Sequence, residues 1–171
     1  MTLIGQTPLE GAERFPSAQE ACPCKWVQVS WDELALLCRR LARQLQGEEQ
    51  PEVVVALARA GYVPGAILAS LLRCDLLTLG VPPARSRGLA ETEQAAAAPL
   101  RERLSGRRVL VIDETTRTGE SLAWATRVAL IAGASAVRTA VLHRPPQGPE
   151  PDHWAAVSRA HLLQPWISDC A

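Results

Sequence analysis

Val109-Leu110-Val111-Ile112 runs without a polar interruption and stops at two carboxylates, Asp113 and Glu114. A strand with one wet face alternates apolar and polar residues, so an unbroken apolar run reads as a strand covered on both faces. Such strands occur in parallel sheets sandwiched between helices. There, ligands bind beyond the carboxyl ends of the strands, which is where the two acids fall. If the strand continues, Asp113 and Glu114 point to opposite sides; if the chain turns, both face one ligand. The loop that follows, Thr115-Thr116-Arg117-Thr118-Gly119-Glu120-Ser121, leads into a helix-like stretch over 121–132. Gly119 permits a tight turn, and Thr118 or Ser121 is expected to cap the helix. The first amides of that helix and its dipole make an anion site. Two carboxylates beside such a loop suit a ligand with both vicinal hydroxyls and a phosphate.

The rest of the chain repeats the alternation. Ser30-Trp31-Asp32-Glu33 is a capping box, and Leu34, Leu37, Cys38, Leu41 and Leu45 recur at helical spacing towards Gly47. A second buried strand is expected over 53–58, a helix over 63–72 with Pro64 in its first turn, and a short strand over 76–79. Residues 80–95 are polar and read as a long mobile loop containing Arg85 and Arg87. Residues 95–104 are weakly helical, Gly133 ends the helix after the loop, and 137–142 is the next strand. From Pro145 onward the chain reads as Pro-rich and irregular, and residues 1–25 as a loose N-terminal arm before one domain over 26–171. Strands alternating with helices imply an α/β fold with a Rossmann-like parallel sheet flanked by helices. Neither a Gly-rich dinucleotide fingerprint nor a Gly-x-x-x-x-Gly-Lys-Ser/Thr loop is present.

Composition narrows the partners. With 18 basic and 18 acidic residues the formal net charge is zero, which gives no support for a nucleic acid or a membrane surface. No apolar stretch is long enough to span a bilayer and no secretory pattern opens the chain, so a cytoplasmic location is expected. The five cysteines, Cys22, Cys24, Cys38, Cys74 and Cys170, are scattered and odd in number, which argues against a disulfide framework. Cys22-Pro23-Cys24 could be half of a metal site but has no second pair, and Cys38 and Cys74 read as core thiols.

The segment 109–121 resembles the signature of the type I phosphoribosyltransferases for phosphoribosyl pyrophosphate (PRPP). In that signature a hydrophobic strand precedes two acids and, three residues on, a Thr-Gly pair. Three further segments resemble the xanthine-guanine and hypoxanthine branch of that family. The run from Val53 through Arg59-Ala60-Gly61-Tyr62-Val63-Pro64-Gly65 is similar to its pyrophosphate loop, with Ala60 in place of the usual first Gly. The peptide after this arginine is expected to be cis. Val141-Leu142-His143-Arg144-Pro145 is similar to the strand that ends in the base-reading Lys-Pro. Pro151-Asp152 with Leu162-Leu163-Gln164-Pro165-Trp166 is similar to the C-terminal tail.

The resemblance implies the type I phosphoribosyltransferase fold with a small hood formed by the C-terminal segment. It implies that Asp113 and Glu114 hold the ribose, as the catalytic pair, with Glu114 reached through Mg²⁺. Thr115, Thr116, Arg117, Thr118, Gly119, Glu120 and Ser121 would cradle the 5′-phosphate, and Arg59, Ala60 and Gly61 the pyrophosphate. Arg144, His161 and Leu162 would meet the base, and Arg85 and Arg87 would close over the site. The implied partners are PRPP and a nitrogenous base, and the implied assembly is a dimer or tetramer of the chain. Three positions depart from the branch: Arg117 for the Asp that serves as general base, Arg144 for Lys, and His161 for the stacking Trp. An arginine stays protonated and cannot accept a proton at neutral pH. Three readings therefore stand: a phosphoribosyltransferase with an altered base pocket, a non-catalytic PRPP or nucleotide sensor, and a scaffold that uses this surface for partners.

Overall fold

The computed structural model describes residues 26–47 and 50–166. Five strands form one parallel sheet: β2 (Val53–Ala58), β3 (Asp75–Gly80), β4 (Arg108–Thr115), β5 (Ala136–Arg144) and β6 (His153–Val157), in the order β3-β2-β4-β5-β6. β1 (Trp26–Gln28) and β7 (His161–Leu163) pair in parallel as a separate two-stranded sheet. The helices are α1 (Trp31–Gln44), α2 (Tyr62–Leu72), α3 (Ala90–Ala97), α4 (Arg101–Leu104) and α5 (Glu120–Ile131).

Apolar side chains leave the sheet in two sets. Val54, Ala56, Leu110, Ile112 and Leu142 pack with Leu34, Leu37, Leu41 and Leu68 of α1 and α2. Val53, Val55, Val109, Val111 and Val141 pack with Leu104, Trp124, Ala125 and Val128 of α4 and α5. Successive residues of β2 and β4 thus enter opposite cores, as the pleat requires. α1 starts at the expected capping box: the Glu33 amide donates to Ser30 Oγ, and the Ser30 amide to the Glu33 carboxylate. Cys38 lies in the first core, and burial pushes its thiol up to about 12.

Several expectations need correction. Residues 80–95 are not one loop, because α3 already begins at Ala90 and a single 3₁₀ turn occupies Ala84–Ser86. The start of α3 carries no side-chain cap, so the sequence held no signal for it. The helical stretch over 95–104 divides into the end of α3, a 3₁₀ turn with a proline at its start, and α4. β4 and β5 run beyond their apolar cores, to Thr115 and Arg144.

The region after Pro145 is not wholly irregular: β6 joins the sheet edge and β7 pairs with β1. Asp152 fixes the entry to β6, because Oδ2 accepts from the Thr139 amide at 2.7 Å and its hydroxyl at 2.8 Å. The two-stranded sheet therefore draws on the N-terminal side of the domain as well as the C-terminal segment. The cis peptide is Ala58–Arg59, before the arginine rather than after it. The arm over 1–25 and Cys22, Cys24 and Cys170 lie outside the described residues.

The two long inner helices end in the same hydrogen-bond pattern with different residues. After α5, Gly133 is left-handed, and the Ala134 amide reaches back to Ala129 O. After α2 the left-handed position is Arg73, at φ 55, with the Cys74 amide on Ala69 O. A side chain in this region costs roughly 1 kcal/mol relative to glycine. Arg73→Gly is therefore expected to raise the melting temperature by about 2–4 °C, measured by thermal unfolding; an unchanged or lower midpoint would contradict the assignment.

Candidate active site

The carboxyl ends of β2, β4 and β5 bring three of the expected segments to one edge of the sheet. Ala56 pairs with Ile112, and Thr115 with His143, so each strand delivers its loop beside the next. Gly61 opens α2 with its Cα pressed on the rim: a Cβ there would lie 2.6 Å from Leu57 O and 2.7 Å from Ile112 O. Any side chain would force β2 and β4 apart, so the turn from Arg59 through Gly61 is tied to the end of β4.

Asp113, Glu114, the whole loop from Thr115 to Ser121, Leu122 and Arg87 line one open cleft of about 400 Å³. Although β4 continues through both acids, their carboxyls stay close. The Glu114 amide donates to Asp113 Oδ1 at 2.9 Å. Burial raises the Asp113 pKa far above the carboxylate range, and a hydrogen bond to the Glu114 carboxyl and that group's charge add to the rise. Asp113 therefore keeps its proton at neutral pH.

The helix beyond the loop differs from the expected capping. α5 begins after Gly119, whose φ is 77, and no side chain caps it. Ser121 lies inside the first turn, and Thr118 Oγ1 stands 3.5 Å from the Glu120 amide. A cap would have consumed the amides that an anion needs, and their openness here is the stronger anion signal. A Cβ on Gly119 would meet Pro149 Cγ at 2.8 Å, so the stretch after β5 roofs the loop and reserves this position for glycine twice over.

Other predicted residues stand apart from this cleft. Arg59 and Arg85 are exposed outside its wall, whereas Arg117 is exposed on the loop that lines it. Arg144 is turned elsewhere: its guanidinium carbon lies 4.5 Å from the Trp154 ring centre, and Nη2 pairs with Glu150 at 2.9 Å. His161 and Leu162 belong to β7. Neither Arg59, Ala60 and Gly61 nor Arg144, His161 and Leu162 contribute to the cleft wall.

The sequence did not reveal His143, buried beside Arg144 with Nδ1 lacking a hydrogen-bond partner among the described residues. Burial holds its pKa down, to about 4, against the opposing charge of Glu33. The signal lay in the strand pattern, since β5 like β4 runs past its apolar core into polar residues. Trp154, which reads as an exposed residue in the sequence, is half-buried in the second core beneath Arg144.

Comparison with known proteins now becomes informative. The phosphoribosyl transferase domain family matches residues 30–168. The chain belongs to the phosphoribosyltransferase family. Solved structures share its fold at low identity. A purine phosphoribosyltransferase from Pyrococcus horikoshii aligns at 22% identity with a TM-score of 0.67, over 82% of this chain and 93% of that one. A xanthine-guanine-hypoxanthine phosphoribosyltransferase from Helicobacter pylori aligns at 15% and 0.66, over 85% and 96%. A hypothetical protein from Neisseria gonorrhoeae, solved with bound ppGpp, aligns at 16% and 0.64, over 83% and 89%. The five-stranded parallel sheet between helices is the type I phosphoribosyltransferase fold.

The raised pKa of Asp113 gives a sign for pH dependence. Below the ordinary carboxylate pKa, Asp113 is protonated in both folded and unfolded chains and costs nothing. Above it, only the unfolded chain ionises freely, so stability falls as pH rises towards the raised folded pKa. Asp113→Asn is expected to melt about 3 °C or more above the wild type at pH 8, a gap that about 1 kcal/mol produces in a chain of this size. The gap should close by pH 4. Parallel melting curves across that range would remove the buried-carboxyl assignment.

Proposed function

We propose that this phosphoribosyltransferase transfers the phosphoribosyl group of PRPP to a purine or related nitrogenous base. The observation that carries the reading is the union, in one cleft, of two adjacent carboxyls and an uncapped helix N-terminus. The loop amides from Thr116 to Ser121 hold the 5′-phosphate. Asp113 and Glu114 accept from the ribose hydroxyls, and Arg59, Ala60 and Gly61 meet the pyrophosphate one strand away. The anomeric C–O bond to pyrophosphate breaks, a C–N bond to the base forms, and the base nitrogen loses its proton. Developing positive charge on the sugar is favoured by the adjacent carboxyl pair once it ionises, as in glycoside transfer.

Among the described residues no group of three or more His, Cys, Asp or Glu could hold a metal alone. A carboxyl pair nevertheless fits Mg²⁺, which uses one or two carboxylates together with substrate phosphates. Mg²⁺ would then meet Glu114 and neutralise charge on the departing pyrophosphate.

The base pocket is where the chain leaves the pattern. Arg117 cannot take the base proton. Arg144 must release Glu150, an exposed partner, before its Nη2 is free to meet a base. Hypoxanthine, xanthine and guanine are accordingly poor acceptors in this reading, and His161 and Leu162 complete a different pocket. The second reading is a non-catalytic PRPP or nucleotide sensor. Arg117 favours it, as does the ppGpp held by the Neisseria protein of similar fold. Self-association belongs to either reading: α2 exposes Tyr62 and Leu71 and the edge strand β3 exposes Leu76, apolar surface that a second copy would cover. So does a cytoplasmic location, where Cys38 and Cys74 stay reduced. No helix among the described residues is long and apolar enough to cross a membrane.

The test is pyrophosphate release from PRPP and Mg²⁺ across a panel of bases. Release with at least one base is expected. Tight PRPP binding without turnover on any base would establish the sensor, and binding of neither PRPP, nucleotide nor phosphate would remove both readings. Arg117→Asp supplies a proton acceptor, and is expected to raise turnover on hypoxanthine by about a hundredfold, the lower end of general-base contributions. No gain would show that position 117 does not face the base.

A further inference from the structure

We propose that Arg87 is a phosphate-binding residue of this cleft, parked on Glu120 until a phosphomonoester displaces that carboxylate. The inference rests on the reading of the loop as a 5′-phosphate site and adds a residue that comes from a different part of the fold. The sequence places Arg87, with Arg85, in a loop that closes over the site. The structure gives it a fixed position against α5.

Three contacts hold it there. Arg87 Nε donates to Pro82 O at 3.2 Å. Its own carbonyl accepts from Arg127 Nη2 at 3.2 Å. Arg127, on α5, is itself anchored at 2.7 Å to Glu93, whose side chain is only 11% exposed. The backbone of residue 87 is thus tied to the body of the helix whose N-terminus forms the anion site. An arginine held in this way needs little ordering when a ligand arrives.

The head of the side chain faces the first turn of α5. Nη1 donates to Ser121 Oγ at 3.2 Å and to the Glu120 carboxylate at 3.4 Å. Nη2 has no partner among the described residues. Around the same point stand the uncapped amides of α5, with Thr118 Oγ1 accepting from the Glu120 amide at 3.5 Å. The Glu120 carboxylate is the charged partner of Arg87 here, and its side chain is 62% exposed. An exposed ion pair of this length is worth little. A phosphomonoester dianion offers up to two charges and three terminal oxygens to the same guanidinium and amides, and binds them more strongly. Glu120 can rotate into solvent, while Arg87 stays where its backbone is fixed. This also accounts for an acidic residue in the first turn of an anion site, where it would otherwise repel the ligand. Arg85, exposed and without an ion pair among the described residues, is left as the loop cation that serves the pyrophosphate.

The experiment measures binding of ribose 5-phosphate, and separately of Mg-pyrophosphate, by calorimetry with the full chain. The variants are Arg87→Gln, Arg87→Lys and Glu120→Gln, each first checked for an unchanged melting transition. Arg87→Gln is expected to weaken ribose 5-phosphate by about tenfold or more, the loss of one charged hydrogen bond. It should leave pyrophosphate within about twofold, since only one phosphate site is touched. Arg87→Lys should recover part of the loss, and Glu120→Gln should tighten ribose 5-phosphate. Equal ribose 5-phosphate binding by wild type and Arg87→Gln overturns the inference and leaves the functional reading intact. So does a loss confined to pyrophosphate, which would assign Arg87 to that group instead. Weaker binding by Glu120→Gln overturns the parking role. A wild type that binds neither ribose 5-phosphate nor PRPP removes the functional reading and this inference with it.

Discussion

Everything at this site follows from the burial of both faces of β4. Val109, Leu110, Val111 and Ile112 are each almost fully inaccessible and alternate between the two cores. A charge anywhere in that stretch would have to be desolvated without a partner, which is prohibitive. The first place the strand can carry acids is the rim, and Asp113 and Glu114 sit at that boundary. Their proximity to the core is also why they interact as they do. At the rim the medium is still poor enough that two adjacent carboxylates cannot both ionise cheaply, so Asp113 keeps a proton until a ligand or cation changes the balance.

The same burial explains what could be read from the chain. β2 and β4 were legible because a doubly covered strand leaves an uninterrupted apolar run, and α1 because its capping box is local. Each signal lies within a few residues of the element it predicts. β1, β6 and β7 were not legible, because their pairing is with distant segments and their sequences contain Trp, His or Gln where an interior strand has Val or Ile. β6 in particular is held by Asp152 on Thr139, a contact that no local pattern announces. The acids and the loop were legible as a motif. Arg87 was placed near the site by its charge, and only the fold shows that Arg127 and Glu93 fasten it to α5.

The cations divide in a way that neutral net charge conceals. Arg87 and Arg144 are held by carboxylates of their own neighbourhood, Glu120 and Glu150. Both of those acids are largely exposed, so both pairs can open at modest cost. Arg59 and Arg117 are exposed and form no ion pair among the described residues. An anionic ligand entering this edge of the sheet thus meets some cations that are free and others released by exchange. Balanced composition keeps the resting surface neutral, and the local arrangement still accommodates a polyanion.

Arg117 remains the hardest residue to reconcile with ordinary purine chemistry, and its surroundings narrow what it can do. The rise in the Asp113 pKa comes from burial and from Glu114, opposed only by a backbone amide, with no contribution from a cation. Arg117 stands exposed on the loop that follows the pair, so the cleft has an acidic wall at the end of β4 and a guanidinium on its loop. Ribose hydroxyls belong to the first. The second favours an acceptor that arrives with negative charge or sheds its proton to solvent, because an arginine cannot take one. The substitution that weakens the case for hypoxanthine or guanine thereby defines the polarity of whatever occupies their place.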